Sequence, residues 1–145
     1  MTTPSVPSQL DLATARQTLD AQPFSALLGT RIRSFGDGKA TLDLDIRKEL
    51  QQQNGFVHGG VLSYAADNAL TFAAGSALGG AVLTSGFSIQ YVRPAVGRTL
   101  LARAEVVHAG RRQAVVRCDL LTVAEDGAET LCAVAQGTVL STRTV

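Results

Sequence analysis

From Gln52 to Thr71 the chain reads Q-Q-N-G-F-V-H-G-G-V-L-S-Y-A-A-D-N-A-L-T, and a single carboxylate, Asp67, stands in its apolar half. Small and apolar residues continue from Val61 to Leu78, and a helix that is apolar on most faces is a buried one. An acid in such a helix must be hydrogen-bonded, neutral or functional, because an unpaired buried charge is costly. The chemistry open to it is to activate water or to attack a carbonyl directly. Ser63, Asp67 and Thr71 recur at i, i+4 and i+8, which places them in one polar stripe along the rod. The two hydroxyls can bond Asp67 or water, or bond back to their own turn.

His58-Gly59-Gly60 opens this helix. The first N–H groups of a helix have no internal partner and sit at the positive end of its dipole. Glycines let another group approach them closely. The spacing therefore predicts a seat for an oxyanion or a polarised carbonyl at the Gly59 N–H, with Gly60 beside it. His58 is read as a positioning residue, with its ring turned to the loop at Gln52–Gly55, rather than as an acid or base. Gln52 is a candidate to orient water or a substrate carbonyl, and Asn54 is a turn former among the candidate binding residues. Gly59 and Asp67 lie about 12 Å apart along one helix at 1.5 Å per residue, so one copy of the chain cannot bring both to one carbonyl. Two antiparallel copies about a two-fold axis can, and the sequence predicts a dimer with two sites, each built from both chains.

The pattern G-x-x-H-G-G with an acid nine residues after the His, here Gly55, His58, Gly59, Gly60 and Asp67, resembles the hotdog-fold acyl-CoA thioesterases of the PaaI-like and hydroxybenzoyl-CoA thioesterase group. That group often carries Asn or Gln six residues before the His, here Gln52. It often carries Ser or Thr four residues after the acid, here Thr71. The resemblance spans roughly residues 30–141. It implies hydrolysis of an acyl-CoA to CoA and a free carboxylic acid, with no metal or organic cofactor, since coenzyme A is part of the substrate. It also implies a dimer or a dimer-of-dimers tetramer. Two other readings are a hotdog hydratase or dehydratase, whose His/Asp or His/Glu placements are not found here, and a non-catalytic acyl-CoA-binding module, which would not need Asp67.

These residues need elements to hold them. A chain of 145 residues is expected to form one domain with a real core. Residues 1–7 are expected to be disordered and 8–29 to hold two helices, with Ser8 and Asp11 as a capping-box-like start and Pro23 opening the second, stopped by Gly29. Strands are expected at Thr30–Phe35, at Ala40–Ile46 with Thr41, Asp43 and Asp45 on the polar side, and at Val82–Arg93, Arg98–Ala109, Gln113–Val123 and Glu129–Ser141, with Gly and Pro at the turns. One long helix with a curled antiparallel sheet around it is an α+β layout.

A net charge of +1 gives no reason to expect nucleic acid or an anionic membrane as partner. The 17% of charged residues is low, which suggests that a second subunit covers some surface. Arg93, Arg111 and Arg112 lie at strand ends; Arg111-Arg112 is the chosen contact for coenzyme A phosphates. Cys118 and Cys132 are read as buried reduced thiols. His58 and His108 lack ligand spacing for a metal. There is no G-x-S-x-G, no phosphate-binding loop and no dinucleotide fingerprint. No membrane span or signal peptide is read, so the cytoplasm is the expected location.

Overall fold

The computed structural model describes residues 10–143; the expectations for residues 1–7 and for Ser8 lie outside them. Helix α1 covers Leu12–Asp20 and α2 covers Pro23–Leu28. The N-cap of α1 is Asp11, whose carboxylate accepts from the Thr14 N–H at 2.8 Å, which satisfies one of the orphan donors of the first turn. That bond holds the Asp11 carboxyl below its ordinary range. Gly29 ends α2 in the left-handed region, at φ 74°, where only a residue without Cβ sits free of strain.

Six strands follow: β1 Arg31–Gly36, β2 Lys39–Asp45, β3 Val82–Tyr91, β4 Thr99–Ala109, β5 Gln113–Val123 and β6 Glu129–Ser141. Helix α3, Gly59–Leu78, comes between β2 and β3. The strands form one sheet in the order β1-β2-β4-β5-β6-β3, and every pairing is antiparallel. The sheet packs on α3 through β2, β3, β4 and β5. Alanines at 65, 66, 69, 73 and 74 of α3 are buried, and their small side chains let the sheet lie close against the helix. This is the α+β hotdog layout expected from the sequence.

The loop before α3 is more ordered than a plain polar connection. It holds a 3-10 turn at Lys48–Leu50 and an antiparallel bridge between Gln51 and Val57. The expected polar side of β2 also differs. Asp43 is 2% exposed, because Arg31 and Arg33 of the neighbouring strand both reach its carboxylate. A buried carboxylate needs such partners. Both cysteines are free and buried, and burial, with Asp119 adding to it, pushes the Cys118 thiol up to about 12. No helix among the described residues is long and apolar enough to cross a membrane.

The β3 strand lies at one edge of the sheet and pairs only with β6. Its register shifts between Thr84 and Gly86. Before the shift Val82 and Thr84 are the half-buried positions; after it Phe87 and Ile89 are. A one-residue slip moves a strand's side chains to the opposite face. The bulge therefore lets Thr84 and Tyr91, an odd number of residues apart, both turn towards α3. Across from it, a Cβ on Gly137 would come within 2.5 Å of the Phe87 Cβ, so this point of β6 has no room for a side chain.

Candidate active site

The polar stripe of α3 lies against β3. Thr84 Oγ1 donates to Asp67 Oδ1 at 2.6 Å. Thr71 Oγ1 donates back to the Asp67 carbonyl at 2.7 Å and stands 2.9 Å from Thr84 Oγ1. Asp67 is half-buried, and its second oxygen, Oδ2, has no protein partner among the described residues. It lines a cavity of about 360 Å³ with Tyr64, Asn68, Thr71, Leu83 and Thr84. One oxygen is thus fixed and the other faces open space, an arrangement that suits a base or nucleophile.

Ser63 does not bond Asp67. Its hydroxyl meets Tyr91 Oη at 2.7 Å, and Tyr91 in turn donates to the Gly59 carbonyl at 3.0 Å. The stripe is therefore split: Thr71 bonds back to its own turn and touches Thr84, the donor to the acid, while Ser63 serves the helix start.

At that start His58 is the N-cap. Its Nδ1 accepts from the Gly60 N–H at 2.9 Å, so the ring turns to the helix and not to the loop at Gln52–Gly55. This capping is the same orphan-donor chemistry seen at Asp11. It spends the Gly60 N–H, which removes that group as a donor to a ligand. The Gly59 N–H has no acceptor among the described residues. Gly59 lines a second cavity, of about 410 Å³, together with Gln52, Phe56, Tyr91 and Arg93. Gln52 sits at this mouth, but its side-chain oxygen accepts from the Asn54 N–H. Asn54 and Gly55, at φ 83°, form the turn, and Asn54 is exposed.

Arg111 and Arg112 are exposed in the β4–β5 turn. The Arg112 carbonyl accepts from the Ser141 N–H at 2.7 Å, and Ser141 pairs with Val82. The turn therefore lies towards the C-terminal end of α3, away from Gly59. The arginine in the Gly59 cavity is Arg93, which donates to the Leu131 carbonyl at 2.6 Å.

Thr84 and Tyr91 are the two site residues that the sequence reading missed. They lie 17 and 32 residues from the groups they bond, and no local pattern announces such partners. The signal present is the break in alternation along β3, around Ser85-Gly86.

The match to a family model, described as the thioesterase superfamily, runs over residues 54–129, which takes in all of α3, with Asp67, and all of β3, with Thr84. A Mycobacterium tuberculosis (strain H37Rv) protein, provisionally named an esterase, is 33% identical over 109 residues, 72% of this chain and 76% of its own length. The acyl-coenzyme A thioesterase PaaI of Escherichia coli (strain K12) is 32% identical over 95 residues, 65% of this chain and 67% of its own length. A solved thioesterase family protein from Silicibacter pomeroyi superposes with a TM-score of 0.81 at 34% identity, covering 86% of this chain and 93% of that one. Likeness in sequence and likeness in backbone thus converge on the helix that carries Gly59 and Asp67, and the chain belongs to the thioesterase superfamily.

Proposed function

We propose that the protein hydrolyses an acyl-CoA thioester to CoA and a free carboxylic acid, at a site made by two subunits. The observation that carries this reading is the separation of the two halves of the chemistry. Gly59, with its unpartnered N–H, lines one cavity and Asp67, with its free Oδ2, lines another, about 12 Å apart on the same helix. Each half is suited to the same carbonyl, and neither is complete in one chain.

In this reading the thioester oxygen accepts from the Gly59 N–H, which stabilises the charge that develops on it. Asp67 of the partner subunit stands on the other side of the carbonyl. With Oδ1 held by Thr84, Oδ2 either removes a proton from the attacking water or attacks the carbonyl carbon itself, forming a mixed anhydride that water then hydrolyses to the free acid and the Asp67 carboxylate. Either route expels the CoA thiolate, which leaves as the thiol after protonation. Arg111 and Arg112 of the subunit that supplies Asp67, whose turn lies towards the C-terminal end of its α3, are the proposed phosphate contacts.

The open edge of β3 supports the pairing. An edge strand presents unpaired backbone groups, and Leu83, Tyr91 and Val92 are 66%, 53% and 54% exposed at or just beyond this one. Two copies joined there about a two-fold axis carry antiparallel α3 helices.

The test is thiol release from a panel of aryl, short-chain and long-chain acyl-CoAs. At least one should be turned over, and Asp67→Asn should lower its kcat by about 10²-fold or more while binding persists. Turnover by Asp67→Asn close to that of the unmodified protein would return Asp67 to a structural role.

A further inference from the structure

The cavity beside Asp67 adjoins a third, which none of the roles above uses. Of about 280 Å³, it lies between α1, α3 and the start of β3. Gln22, Thr71 and Leu83 line both spaces, so the two are adjacent and a group attached at the reacting carbonyl would enter the inner one past these side chains. Its inner walls are Leu10, Ala15, Phe35, Phe72, Gly75 and Val82, and Phe35 and Phe72 meet edge to face, with ring centroids 6.3 Å apart.

No charged residue among the described residues lines this space, and three of its side-chain oxygens are already engaged, whereas Thr14 Oγ1 and Gln22 Nε2 are not. Thr18 Oγ1 donates to the Thr14 carbonyl. Thr71 Oγ1 is held by Asp67 and Thr84. Gln22 Oε1 accepts from Ser25 and Asn68. A charged group placed here would lose its water without gaining an opposite charge. At about 30 Å³ for each water-sized group, with allowance for protein packing density, the cavity holds roughly seven to nine carbon atoms.

We propose that this cavity receives the acyl group, and that the substrate carries an uncharged, apolar acyl chain of about seven to nine carbons beyond the carbonyl, straight or ending in one ring. Gly75 sets the depth. A Cβ there would lie 3.8 Å from Val82 Cγ2, in ordinary contact, so a longer side chain at 75 extends into the space the acyl chain needs. This inference rests on the thioester reading above.

The experiment compares butanoyl-, octanoyl-, 3-phenylpropanoyl-, palmitoyl- and succinyl-CoA, by thiol release with the unmodified protein and by calorimetric binding to Asp67→Asn. Each buried methylene is worth about fourfold. Octanoyl- or 3-phenylpropanoyl-CoA should therefore exceed butanoyl-CoA by at least about tenfold in kcat/KM and in affinity, and succinyl- and palmitoyl-CoA should be poor; the octanoyl and phenylpropanoyl arms separate a straight chain from a ring. Gly75→Leu should reduce the octanoyl-to-butanoyl ratio by about tenfold or more. Thr18→Trp, at the mouth on exposed α1, should reduce the same ratio if Gly75→Leu does not fold. Chain-length-dependent binding without thiol release would support the cavity and sink the hydrolysis. A flat chain-length profile, preference for the succinyl group, or an unchanged ratio in the folded variants would overturn the cavity assignment.

Discussion

In the proposed site, Thr84 turns Asp67 from a half-buried acid into an aimed one. A hydroxyl at 2.6 Å fixes Oδ1, and a side chain with only one oxygen held has one oxygen left to act. Thr84→Val should keep the fold and lower kcat by about tenfold, a typical cost of losing one hydrogen bond to a charged group, with little change in KM. Thr84→Ser should restore most of the rate, since it returns the donor. Equal activity in Thr84→Val and the unmodified protein, measured by thiol release, would contradict this positioning role. As candidates, Asp67 and Gly59 were legible in the sequence because their signals are local: a lone acid in an apolar run, and glycines at a helix start. Thr84, Tyr91 and the burial of Asp43 were not, because each depends on which strand lies beside which. His58 was legible as a positioning group, yet its target was misread, because a cap and a loop contact look alike in sequence.

At the scale of elements, the β3 bulge is what brings Thr84 and Tyr91 to the same helix. It depends on a close approach between β3 and β6, where Gly137 faces Phe87 and the Gly86 carbonyl. A methyl group at 137 would overlap the Phe87 Cβ and backbone. Gly137→Ala should therefore cost about 1–3 kcal/mol of stability, read as a lower urea midpoint, and should also reduce turnover through displaced Thr84. An unchanged midpoint would mean that β6 yields there freely. Strand bounds such as Gln113–Val123 and Glu129–Ser141 were readable in full, since turn residues punctuate the chain on either side. The bulge was not, because Gly86 and Gly137 signal it only once their pairing is known.

At the scale of the whole molecule, β3 is the open edge of the sheet. Elsewhere on the sheet Arg31 pairs with Asp45, Arg103 with Glu129, and Lys39 with Glu105. Exposed apolar side chains occur along or beside β3, at Leu83, Tyr91, Val92 and the paired Leu140, and also off it, at Phe24, Leu27, Val96 and Val107. The open edge with its apolar side chains favours association through β3, and sedimentation should give a dimer or a larger assembly built from it; a concentration-independent monomer would remove the basis of the shared site.

The most direct test mixes two crippled parents. Gly59→Pro removes the N–H that should hold the thioester oxygen. Gly59 is the first residue of α3 and His58 before it has φ −59° and ψ 135°, which is the setting that a helix-opening proline prefers. Asp67→Asn is the other parent. Each homodimer lacks one half of both sites, whereas a mixed dimer has one site with both halves intact. If the sites act independently, each mixed dimer should regain roughly half of the unmodified activity, and a statistical equal mixture about a quarter. A mixture that stays as inactive as its parents, while native mass spectrometry shows mixed dimers and circular dichroism shows both variants folded, would contradict the shared site.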